Sequence, residues 1–118
     1  MKLTDVLAEK DFIFALCTFI DEFKRSAATE KERLISDEPK ELGDKEKRCI
    51  LAAVAHKIAN DNRIGVPAWT SKSIYVMDYP IYSHNTKNSE YQEFLIASTP
   101  FEFACRNIFF GEDAIERA

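Results

Sequence analysis

Glycine and proline are scarce in this sequence, three and four among 118 residues. That scarcity argues against an all-β design, whose many short strands need frequent turn residues between them. Histidine is rarer, with only His56 and His84. There is no nucleophile elbow, no glycine-rich phosphate loop and no metal-binding motif, so the usual sequence marks of catalysis are missing. Long apolar runs are missing too. The longest, Phe12 to Ile20, is interrupted by Thr18 and bounded by Asp11 and Asp21, far short of a membrane span. Met1-Lys2-Leu3-Thr4-Asp5 lacks the apolar core of a secretory signal. An excess of one charge is likewise absent. The net charge is −4, and acids slightly outnumber bases both before and after Arg48. Without a basic field, nucleic acid is not expected as a partner, and no membrane is expected either.

What is present describes an ordinary globular chain. Apolar residues make up 46% and charged residues 31%, which suits a single domain spanning 1–118 with one core. The three cysteines, Cys17, Cys49 and Cys105, are odd in number, far apart and set among apolar neighbours. They read as small buried thiols in a reducing cytoplasm.

Periodicity predicts an all-α fold with two long helices, at 11–25 and 44–60. Phe12, Leu16, Phe19, Ile20 and Phe23 fall on one face of the first, and Asp11 is placed to cap it. Ile13 and Phe14 widen that stripe, so the helix should be covered on more than one side. Cys49, Ile50, Ala53, Val54 and Ile58 form the buried stripe of the second, and its small alanines permit close approach. Shorter helices are expected at 29–35, with a Thr29–Glu32 capping box, and at 90–98, with Tyr91, Phe94 and Leu95 inward. Two more are expected at 100–106 and 112–117. In the former, Thr99, Pro100 and Glu102 match an N-cap, a first-turn proline and a capping-box acid. Residues 70–85 should be extended chain laid across the helices, since Pro80 forbids a continuous helix there. The alternative is an α+β fold in which 74–77 and 107–110 pair as a minimal sheet.

Ten of the fourteen aromatic residues lie from Pro67 onward. Trp69, Tyr75, Tyr79 and Tyr82 occupy the segment with least regular structure, so they are candidates for a partner-binding surface. Arg106, between Phe103 and Ile108-Phe109-Phe110, has two readings. One is structural, with Asn107 in a turn conformation and the guanidinium on carbonyls at a helix end. The other sends Arg106 to an acidic partner. Adjacent carboxylates such as Asp21-Glu22 and Asp37-Glu38 point apart on a helix and do not suggest acid–base catalysis. His56 and Cys49 lie two turns apart, too far to share a zinc ion. No catalytic, cofactor or metal residue is therefore proposed.

Pro67-Ala68-Trp69, Ser98-Thr99-Pro100-Phe101-Glu102-Phe103, Arg106-Asn107-Ile108-Phe109-Phe110 and Ala114-Ile115-Glu116-Arg117-Ala118 together resemble a pattern in a set of small uncharacterised helical bacterial proteins. There a Pro-x-Trp precedes a Ser-Pro-x-x-Phe-like turn and an Arg-Asn-Ile-Phe-like ending. In this chain Thr99 separates Ser98 from Pro100. The resemblance implies a bacterial, cytoplasmic, antitoxin-like or regulatory role, with a protein partner. It carries over no catalytic residue. The function expected first is thus a non-enzymatic interaction module. The alternatives are a homo-oligomeric structural module, and a small ligand-binding protein or enzyme with a pocket near Cys105, Arg106 and His56.

Overall fold

The computed structural model describes residues 2–39 and 44–112. A 3-10 turn at Leu3–Ala8 leads into α1, Phe12–Arg25. The Asp11 carboxylate accepts from the Phe14 amide at 3.0 Å, satisfying one of the amides that the first helical turn leaves open. Phe12, Leu16, Phe19, Ile20 and Phe23 are buried as their spacing requires. Ile13 and Phe14 point to solvent, so α1 is covered on one side and not on two. The expectation of wider coverage fails because no described element packs over that shoulder of the helix.

The short α2, Ala28–Ser36, begins after Ala27 with no side-chain cap. Thr29 lies inside the first turn, so the expected Thr29–Glu32 box is not formed. Asp37 ends the helix in extended geometry, two residues before Pro39. The central element is α3, Lys45–Asp61, opened by Asp44, whose carboxylate accepts from the Glu46 amide at 2.8 Å. From Cys49 to Ala55 every residue is buried. Ala52, Ala53, Ala55 and Ala59 let neighbours approach its backbone closely, while Leu51 and Val54 each contribute roughly 1.5–3 kcal/mol of apolar burial. The Leu3–Ala8 turn, two further 3-10 turns at Ala68–Ser71 and Ser73–Tyr75, and the short helix Phe101–Ala104 all pack around it.

The 70–85 region is less extended than its composition suggests. Ser73–Tyr75 winds into a turn that buries Tyr75, and only Ile81–Tyr82 is a strand, β1. It pairs in parallel with β2, Ile108–Phe109, in the register Ile81↔Ile108 and Tyr82↔Phe109. The 107–110 half of the anticipated pairing is therefore present, but its partner lies further along than 74–77. The Met77 amide nonetheless donates to the Arg106 carbonyl at 3.1 Å, one step outside the ladder. With so small a ladder the molecule is all-α in class.

Between the strands lie a polar turn at Ser83–Asn85, then α4, Ser89–Ser98, then α5, Phe101–Ala104. Asn88 caps α4, its side chain accepting from the Tyr91 amide at 2.9 Å. The expected Thr99–Glu102 box at the head of α5 is absent. The Thr99 hydroxyl instead donates back to the Leu95 carbonyl at 2.5 Å and accepts from the Gly111 amide at 3.0 Å. The Glu102 carboxylate accepts from Asn60 on α3 at 2.8 Å. Tertiary partners outbid the local motif, and α5 stops at Ala104, short of 106. Asn107 follows with φ +63°, the turn conformation anticipated for it. Except for Glu112, the turn expected at 112–117 lies outside the described residues.

Candidate functional site

Two constructions dominate the last third of the chain, one buried and one exposed. The buried one centres on Arg106, which retains 4% of its surface. Its Nη2 donates to the Thr70 carbonyl at 2.7 Å and its Nη1 to the Glu102 carbonyl at 2.6 Å. Nη1 also lies 3.1 Å from His56 Nδ1 and 3.4 Å from Cys105 Sγ. A guanidinium only donates, so Nδ1 accepts and the neutral imidazole carries its proton on Nε2. Burial pushes His56 below its ordinary pKa, and the Arg106 charge pushes it further, against a weaker opposing effect of Glu102. The guanidinium thus clamps α3, the Ala68–Ser71 turn and the end of α5 together. It does so through neutral acceptors, two of them backbone carbonyls, of which that of Glu102 also accepts from the Cys105 thiol at 3.5 Å.

This arrangement brings together His56, Cys105 and Arg106, the trio considered for a pocket. Cys105 is exposed, which corrects its reading as a buried thiol; Cys49 is buried and Cys17 half-buried. Three clefts on the described surface are lined by none of the trio. One of them, about 610 Å³, runs between the Leu3–Ala8 turn and the end of α2. Its carboxylates are engaged: Asp37 with Lys2 at 2.7 Å, Glu38 with Lys72 at 2.7 Å and with the Tyr75 hydroxyl at 2.7 Å. Among the described residues, no cluster of three or more His, Cys, Asp or Glu side chains is placed to hold a metal ion. No helix among them is long and apolar enough to cross a membrane.

The exposed construction is the corner formed by α4 and α5. At 100° per residue, Leu95 points into the protein, and it is the one buried residue of α4. Tyr91 and Phe94 then fall on one shoulder, Ile96 on the other, and Glu90 and Glu93 along the crest between them. The exposures agree: Tyr91 40%, Phe94 60% and Ile96 49%, joined by Phe101 at 69% on α5. Tyr91 and Phe94 stack on each other with ring centres 6.2 Å apart and planes 11° from parallel. Phe101 meets the edge of the His56 ring at 6.2 Å, so the corner touches the clamp below it. The inward placement expected of Tyr91 and Phe94 is therefore reversed. α4 leans on the short strand β2, and that support offers room for one inward side chain.

The residues singled out from the sequence as partner-binding divide. Trp69 is buried, its indole donating to the Ile35 carbonyl at 3.2 Å and its ring edge-on to Tyr75 at 5.3 Å. Tyr75 is buried with its hydroxyl on Glu38. Arg106 is buried in the clamp, the structural one of its two readings. These three are core residues and offer no accessible contact surface in this conformation. Tyr82 is half-buried and stacked on Phe109 at 5.7 Å. Tyr79 alone of the five is fully exposed, at 60%. Sequence reasoning missed Phe94, Ile96 and Phe101 as surface residues. One signal for them was available: from Asn88 to Cys105 the chain has three acids and no lysine, arginine or histidine, unlike any other stretch of its length here.

No protein-family model matches the chain, and no curated protein or solved structure matches it.

Proposed function

We propose that this chain is a non-enzymatic protein-interaction module and that its contact surface is the α4–α5 corner. The observation that carries this reading is the exposure of Tyr91, Phe94, Ile96 and Phe101 within one short stretch. Single apolar residues on a surface are common, whereas contiguous large ones mark interaction sites, and the stacked Tyr91–Phe94 pair is the contiguous part of this set. Aromatic residues also supply much area at low entropy cost, which suits an anchor. The exposed Tyr79 lies outside this corner and is a secondary candidate. An antitoxin-like or regulatory role in a bacterial cytoplasm is the form of this reading that the sequence resemblance suggests.

A photo-cross-linking side chain placed at position 94, with a control at exposed Glu9, tests the proposal in extract of the native cell. The expected result is a discrete covalent product from position 94 and none from position 9. Equal labelling at both positions would sink it.

A further inference from the structure

The chemistry of the same corner points to the kind of partner it takes, an inference that rests on the interaction reading above. We infer that α4 receives a basic amphipathic segment of another protein, in which apolar side chains alternate with lysines or arginines.

Three observations favour that occupant. The crest of α4 carries Glu90 and Glu93, both exposed, between its apolar shoulders. A partner that buries Phe94 and Tyr91 must bring its own groups against these carboxylates, and cationic groups complement them. From Asn88 to Cys105 there is no base, and the nearest in sequence is Lys87, three residues before Glu90. The exposed, stacked Tyr91–Phe94 pair shares α4 with the acids, and aromatic rings favour a guanidinium or ammonium as a neighbour.

The same geometry disfavours a second copy of this chain. A symmetric pairing through α4 would set Glu90 and Glu93 against their own counterparts, placing like charges together as apolar surface leaves water.

Two labelled helical peptides of about 18 residues, long enough to hold a helix, share one leucine–alanine pattern and differ in having lysine or glutamate elsewhere. Fluorescence anisotropy with the full chain should show the lysine peptide binding at least about tenfold tighter than the glutamate peptide, with affinity falling as salt is raised. Phe94→Ser should weaken the lysine peptide about tenfold, the scale of one lost anchor. The double variant Glu90→Lys/Glu93→Lys should exchange the preference in favour of the glutamate peptide. Since all three positions are exposed, circular dichroism should stay unchanged.

Equal binding of the two peptides, or lysine-peptide binding indifferent to both variants, would overturn the inference. So would a self-association of the chain that excludes both peptides and is lost in Phe94→Ser, which would assign the face to a second copy. Failure of both peptides to bind overturns it as well. The cross-link from position 94 decides the interaction reading separately, because it does not depend on the partner's charge.

Discussion

Trp69 and Tyr75 on one side, and Tyr91, Phe94 and Phe101 on the other, come from the same aromatic-rich third of the chain and end in opposite environments. The first pair lies against α3, whose alanines leave room for large rings close to the helix backbone. Each also finds a partner for its polar handle, the Ile35 carbonyl for Trp69 and the Glu38 carboxylate for Tyr75. The second group lies on α4 and α5, elements of ten and four residues. Only Leu95 and Phe103 are buried there among the large apolar side chains. The contrast teaches that aromatic density does not decide burial. The width of the neighbouring surface does.

The sharpest way to break this comparison is to delete a ring from each side. Trp69→Ala should cost about 3–5 kcal/mol in a urea titration, the usual range for emptying a large core site. Phe94→Ser should stay within about 0.5 kcal/mol of the parent in the same experiment. Similar losses at both positions would erase the distinction between core and corner.

Next in size is Arg106→Met. It keeps most of the side chain's volume but strands the buried Thr70 carbonyl and removes the donor to His56, and should cost about 2–3 kcal/mol. A variant as stable as the parent would show that the clamp holds nothing. Tyr75→Phe probes one hydrogen bond and should cost about 1 kcal/mol.

The smallest effect is one of pH. His56 is held neutral in the folded protein below its ordinary pKa, whereas the unfolded chain protonates it near 6.5. The unfolded state therefore binds more protons as pH falls through that value, and stability drops with it. Carboxylates held low in the fold, such as Asp37 and Glu38, add their own losses only nearer their usual range. A melting series between pH 7.5 and about 5.5 isolates the imidazole, because that window lies above the carboxylates. The parent should lose melting temperature across it, and His56→Gln should be nearly flat. A parallel decline in both would mean the imidazole is not the titrating group.

Much of the fold was legible because some local signals had no rival. Asp11 precedes a strongly periodic helix and caps it as expected, and the second long helix starts within one residue of its expected bound, after Asp44. Other motifs failed where a distant group competed. Thr99 and Glu102 have the spacing of a capping box, yet Asn60 takes the carboxylate and Gly111 the hydroxyl. The outward face of α4 was not legible from period alone, since Tyr91, Phe94 and Leu95 also fit an inward stripe. Which flank is covered depends on how little lies beneath the helix, and that is set by β2, which reaches it from beyond α5. The role of Arg106 was half legible. Its turn neighbour Asn107 was foreseen, whereas the His56 partner fifty positions earlier was beyond local reasoning.

That separation of 50 residues between His56 and Arg106 has a consequence in time. At synthesis rates of about 5–20 residues per second, α3 waits several seconds on the ribosome before its clamp has been made. During that interval His56 and, once made, the Thr70 carbonyl lack the guanidinium that joins them. A chain ending at Ala104 would lack Arg106 and with it the link between His56 and Thr70.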